Sequence, residues 1–294
     1  MYQPRRPARS ETLRLRGLKT HLWRWGPDEN PPIVLLHGWA DSGETFQFLA
    51  DCLPDDWSLA APDWRGFGRS EWAPAGAYWF PDYLGDLDAL LEALSPDRPA
   101  RVVGHSMGAN VLSLYGGARP ERLERIALLE GFGLARLPPA AAPERYRQWL
   151  EQLRGAPPRI ASYASFDAFA RFLAKRNPRL TLDRAQFIAR AWGVERDGRI
   201  AVRSDPAHKF VYPVLYRRDE AEACWRDITA PVLLMLGDRS EYVARLRPDW
   251  DVQTLGARFR QAETALLADC GHMLHHENPQ AVAAVLTPFL APRR

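Results

Sequence analysis

The sequence predicts an α/β fold: a mostly parallel sheet with helices on its faces and one long helical insertion. Three observations carry this. Short apolar runs alternate with helical spacing through the first 130 residues, that alternation stops from about 134 to 226, and it resumes afterwards. With 46% hydrophobic residues in 294, the chain can bury one substantial core and carry an insertion besides.

The elements follow in chain order. Residues 12–16 and 20–25 read as antiparallel strands turning at Gly17, and 33–36 is a continuous apolar run stopping at His37-Gly38, as a buried central strand does. Further strands are expected at 58–61, 101–103 and 126–129, each followed by glycine, proline or polar residues. Between them Tyr83, Leu87, Leu90, Leu91 and Leu94 keep helical spacing. In the insertion, 146–153 and the series Phe166, Phe169, Phe172, Leu173 are helical, punctuated by Pro138-Pro139, Pro157-Pro158 and Pro178. Strands at 232–236 and 265–268 and a closing helix at 279–290 complete the chain. The expected division is a core of residues 1–133 and 227–294 and a helical insertion of residues 134–226.

Charge and composition exclude several functions. A net charge of +3 gives no support to a nucleic-acid partner. The Arg-rich N-terminus has no apolar run long enough for a signal peptide or membrane span, so a soluble, cytoplasmic protein is expected. Cys52, Cys224 and Cys270 are odd in number and widely spaced, suggesting free thiols rather than disulfides or metal ligands. Residues 131–227 hold 18 Lys and Arg against 11 Asp and Glu, while the rest holds 21 against 25. In a chain with only three lysines this surplus is read first as compositional bias, and second as an attraction for an anionic substrate such as a coenzyme A ester.

Two stretches carry chemistry. Gly104-His-Ser106-Met-Gly108 lies between a strand and a helix. A nucleophilic serine there needs a sharp, strained turn, and the glycines on either side relieve backbone crowding. The bland alternative is a helix N-cap serine. Gly271-His272 follows the last strand, where an imidazole is placed to take and return a proton. His275 and His276 compete with it and are read as polar residues at a helix start, while His37 and His105 are read as structural.

These residues, with His37-Gly38-Trp39, Asp63-Trp-Arg65-Gly66-Phe-Gly68-Arg-Ser70, Glu277 and Pro279, resemble the α/β-hydrolase superfamily, and the serine hydrolase-like subgroup in particular. The resemblance implies an eight-stranded sheet, a helical cap over the site, and the chain order serine, acid, histidine. It makes Ser106 the nucleophile, His272 the general base, and the backbone N–H groups of Trp39 and Met107 the oxyanion hole. The stretch 63–70 becomes a structural loop near the site. In many relatives the acid lies after the seventh strand, but Gly237-Asp238-Arg239-Ser240 puts Ser240 there, which cannot supply the charge. The superfamily's other acid position, after the sixth strand, holds Glu130, which is the choice; Asp238 and Glu241 are the alternatives.

A hydroxyl nucleophile implies an acyl-enzyme formed on a small-molecule ester or thioester, with no metal and no organic cofactor. Dehalogenases and epoxide hydrolases of the superfamily use aspartate instead. Alternatives are a C–C bond hydrolase or a perhydrolase with the same residues, or a non-catalytic ligand-binding protein on this fold, a reading motivated by Ser240. The cap aromatics Trp149, Tyr163, Phe166, Phe169, Phe172, Phe187, Trp192 and Tyr212 are read mostly as cap core, with two or three facing an apolar acyl pocket.

Overall fold

The computed structural model describes all residues except 29–30, 77, 157, 243–251 and 293–294, so Pro157 of the expected Pro157-Pro158 break lies outside the described residues. Eight strands form one sheet: β1 (Arg9–Leu15), β2 (Leu18–Trp25), β3 (Ile33–Leu36), β4 (Leu59–Pro62), β5 (Ala100–His105), β6 (Leu123–Leu129), β10 (Val232–Gly237) and β11 (Ala262–Leu267). The spatial order is β1-β2-β4-β3-β5-β6-β10-β11. β1 pairs antiparallel with β2 around Arg16-Gly17, both at positive φ, β2 pairs antiparallel with β4, and the remaining pairs are parallel.

Both faces of the central strands are covered, which is why β3 and β10 are buried along their whole length and lack a polar alternation. One face packs against the helices Phe80–Leu94, Met107–Ala118 and Arg218–Asp227, through Tyr83, Leu87, Leu112 and Trp225. The other packs against the helices Gln47–Ala50 and Pro279–Leu290, through Leu49, Val282, Leu286 and Leu290. The C-terminal ends of the parallel strands are the place where an open α/β sheet builds a site.

The intervening segment differs from the expected helical insertion in two respects. Besides the helices Ala142–Arg154, Phe166–Arg176 and Leu182–Trp192, it holds a three-stranded antiparallel sheet of β7 (Ser162–Tyr163), β8 (Gly193–Arg196) and β9 (Arg199–Val202), in the order β7-β9-β8. The β8–β9 turn is Asp197-Gly198, both at positive φ, the pair a tight hairpin favours. The strands are too short and too polar to register as apolar runs. Secondly, the helix Arg218–Asp227 packs on the main core, where Trp225 is buried and donates its indole N–H to Ser113 Oγ at 2.9 Å. The expected boundary at 226 therefore falls after an element that belongs with the sheet.

Among the described residues no helix is long and apolar enough to cross a membrane. Cys270 is buried, Cys52 and Cys224 are partly buried, and all three are free thiols.

Candidate active site

Ser106 sits between β5 and the helix Met107–Ala118 at φ 50° and ψ −112°. That left-handed conformation is costly for a residue with a side chain, and the surroundings hold it. The Ser106 N–H donates to Leu129 O at 2.9 Å, and its carbonyl accepts from the Asn110 N–H at 2.9 Å. The two flanking glycines are required by contact rather than by their own torsions. A Cβ on Gly104 would lie 2.6 Å from the Ala109 backbone, and one on Gly108 would lie 2.3 Å from Leu36 O. Since the obstacle is backbone of β3, Gly108→Ala is expected to cost at least about 1–3 kcal/mol, the usual penalty of overpacking. A melting temperature equal to that of the wild type would contradict this account of the turn.

The loop after β11 brings His272 back over the turn at Ser106. Its Nε2 lies 3.0 Å from Ser106 Oγ and its Nδ1 lies 3.0 Å from Glu130 Oε2. A carboxylate only accepts, so the proton resides on Nδ1 and leaves Nε2 free to accept from the serine hydroxyl. The loop is pinned at both sides: Glu277 Oε2 accepts the Gly271 N–H at 2.6 Å, and His105 Nε2–H donates to His272 O at 2.9 Å. Burial drives the His105 imidazole well below its ordinary pKa, so it makes that bond as a neutral ring.

Glu130 follows β6 at φ 54° and is 1% exposed. Its carboxylate is fully engaged: Oε1 accepts the Gly237 N–H at 2.8 Å, and Oε2 accepts the Ser240 hydroxyl at 2.5 Å besides facing His272. The structure thus brings Glu130 to the imidazole and leaves both alternatives elsewhere. Asp238 is exposed and accepts the Cys270 N–H at 3.3 Å, and Glu241 is exposed. Ser240 donates its hydroxyl to this carboxylate from the loop after the neighbouring strand, a contact that sequence reading missed because the two residues are 110 positions apart.

The 37–39 loop runs along the serine. A Cβ on Gly38 would come within 3.1 Å of Ser106 Cβ and 2.9 Å of His105 Nδ1, so only glycine permits this approach. His37 is buried and braces the turn: its Nε2 accepts the Trp64 N–H at 2.9 Å and its Nδ1 donates to Gly38 O at 2.7 Å. Burial also lowers its pKa. Trp39 directs an exposed indole outward, and Met107 opens its helix with an N–H that has no intrahelical acceptor. Over His272 lie the rings of Tyr242, at 4.3 Å between centroids, and Phe132, at 6.4 Å; neither was singled out from sequence.

The 63–70 loop is held by Asp63, whose carboxylate accepts from the Gly43 and Arg69 N–H groups at 2.8 and 2.9 Å. Of the aromatics in the intervening segment, Tyr163, Phe166, Phe169, Phe187 and Trp192 pack in a small core with Ile188 and with Phe48. Trp149 and Tyr212 line a cavity of about 280 Å³ with Tyr78, Trp79, Phe210 and His208. Its wall at His208 stacks on Phe67 at 3.8 Å, and Phe67 meets Trp39 edge-on at 6.5 Å. His275 and His276 lie at the start of the short helix Leu274–Glu277, as expected, and both are buried there beside Asp41.

With this geometry, the chain matches the α/β-hydrolase fold family over residues 31–279 and belongs to it. It resembles the serine hydrolase-like proteins: the one from Danio rerio is 28% identical over 278 residues, covering 92% of this chain and 84% of that protein. The lipase LipV of Mycobacterium tuberculosis is 28% identical over 290 residues, 93% of this chain and 98% of its own. Among solved structures, a hypothetical protein of Pseudomonas aeruginosa PAO1 superimposes with a TM-score of 0.85 at 27% identity, covering 96% of this chain and 99% of that one. A thioesterase domain from the curacin biosynthetic pathway also gives 0.85, at 24% identity, over 95% and 98%. The latter speaks for the fold alone.

Proposed function

We propose that the chain is a serine hydrolase that cleaves a carboxylic ester or thioester through an acyl-enzyme on Ser106. One observation carries the reading: an unbroken hydrogen-bonded line from Glu130 through His272 to the Ser106 hydroxyl, at 3.0 Å for each contact of the imidazole. His272 Nε2 takes the Ser106 proton as Oγ attacks the carbonyl carbon, and the imidazolium returns it to the departing alcohol or thiol. Water then repeats the attack on the acyl-enzyme with His272 again as base. Glu130 stabilises the imidazolium and fixes its tautomer, while the N–H groups of Met107 and Trp39 receive the oxyanion. Lipase and esterase relatives agree with this reaction class.

The non-catalytic reading rested on Ser240; the bond from Ser240 to Glu130 supports the catalytic reading instead. A fluorophosphonate probe tests the proposal directly. Stoichiometric labelling of the wild-type chain at Ser106 is expected, and a folded chain that takes up no label would overturn it.

A further inference from the structure

Beside the proposed hydrolytic site, and independent of it, lies a second set of buried polar groups. Asp41 follows the 37–39 loop, and His275 and His276 follow His272 by three and four residues. Asp41, His275 and His276 are 3%, 0% and 2% exposed. Each imidazole Nε2 lies 3.7 Å from Asp41 Oδ2, and one ligand atom from each of the three residues lies within 4.8 Å of the others. Asp41 Oδ2, His275 Nε2 and His276 Nε2 are all buried without a hydrogen-bond partner.

The carboxylate is held to present that oxygen. Its other oxygen, Oδ1, accepts the Ser42 N–H at 2.8 Å, the Thr45 hydroxyl at 2.7 Å and the Trp192 indole N–H at 2.9 Å. Every donor at hand is gathered on one side, and Oδ2 is left facing two imidazoles at a separation too long for a hydrogen bond. Among the described residues no Lys or Arg stands within ion-pair distance of this carboxylate; its partners in that range are the two histidines.

We propose that Asp41, His275 and His276 bind a divalent first-row metal ion, zinc by preference. A tetrahedral zinc with bonds of about 2.0–2.2 Å separates neighbouring ligand atoms by roughly 3.3–3.6 Å, so the two 3.7 Å separations from Asp41 need only a small contraction, and the third pair, within 4.8 Å, closes by a rotation of an imidazole. Two neutral imidazoles and one carboxylate form a nitrogen–oxygen set suited to zinc, with a fourth position for water. The hydrogen bonds on Oδ1 are of the supporting kind that orient metal-bound carboxylates. A water molecule could span the same gap, but it would leave the buried carboxylate without a counter-charge; a divalent ion supplies one. The ion would tie the loop after β3 to the loop that carries His272, so its effect is on the rigidity of both.

Wild-type protein freed of metal by chelator and titrated calorimetrically with zinc at neutral pH is expected to take up one ion per chain and to melt at a higher temperature with zinc than without. Asp41→Asn and His276→Gln are each expected to weaken uptake by about 100-fold or more, beyond what a lost supporting hydrogen bond costs. His272→Ala should retain it. Where a variant fails to fold, X-ray absorption on the zinc-loaded wild type decides, with two imidazoles and oxygen ligands expected. Absence of stoichiometric uptake by the wild type overturns the proposal. Uptake that survives Asp41→Asn but is lost in His272→Ala, or a ligand set containing sulfur, overturns it as well.

Discussion

Ser106→Ala is expected to lower kcat on a susceptible ester by about 10⁶-fold, the scale set by removing the nucleophile from a hydrolase in which serine and histidine act as a unit. The substitution deletes the atom that lies 3.0 Å from His272 Nε2 while leaving the strained turn, the flanking glycines and the loops around it in place. Substrate binding should therefore survive, with KM little changed. His272→Ala is expected to cost a similar factor, and the double variant no more than either alone. Single-turnover kinetics on purified variants checks this. Multiplicative losses in the double variant would mean that the two residues act separately, and retained turnover in Ser106→Ala would mean that the nucleophile is elsewhere.

How far the sequence discloses this arrangement depends on how local each feature is. The strands at β3 and β10 are legible because burial on both faces writes an uninterrupted apolar run, and the closing helix 279–290 is legible from Pro279 and its spacing. β11 is read three residues late because it is an edge strand whose residues are partly exposed, so its first half carries Glu263 and Thr264 rather than an apolar run. The β8–β9 hairpin escaped for lack of hydrophobicity, although its Asp197-Gly198 turn was in plain view. The turn is legible because glycine is demanded two residues either side of Ser106 by contacts that any side chain would violate. Long-range partners are not. Nothing near Ser240 in the chain announces Glu130, and nothing near Asp41 announces His275 and His276; only the folding of strand ends onto one edge of the sheet brings them together. The helix start at His275 and His276 was legible but its burial was not, because Phe46, Phe48 and Trp192, distant in the chain, close over it.

The same dependence on long-range partners makes Glu130 the most informative position to change. Glu130→Gln keeps the shape of the side chain and is expected to lower kcat by about 10⁴-fold, or about 5 kcal/mol of barrier. The carboxylate accepts from three donors at once: the Gly237 N–H, the Ser240 hydroxyl and the His272 Nδ1–H. An amide has one accepting oxygen. If that oxygen stays with Gly237, the NH₂ group faces His272 Nδ1, which must then shed its proton to accept. The proton moves to Nε2, and the ring can no longer take one from Ser106. If the amide turns over instead, the Gly237 N–H is left against a donor in a buried site, at a cost of about 1–3 kcal/mol in stability. Ser240→Ala removes one donor without reversing any bond, so its loss should be far smaller, about 10-fold, in keeping with a neighbour that orients the acid. Asp238→Asn and Glu241→Gln, whose carboxylates make no contact with the imidazole, should leave turnover within a few-fold of the wild type. Steady-state rates for the four variants on one ester rank them. Glu130→Gln as active as the wild type, with the loss falling on Asp238→Asn or Glu241→Gln, would move the acid from the end of β6 to the loop after β10.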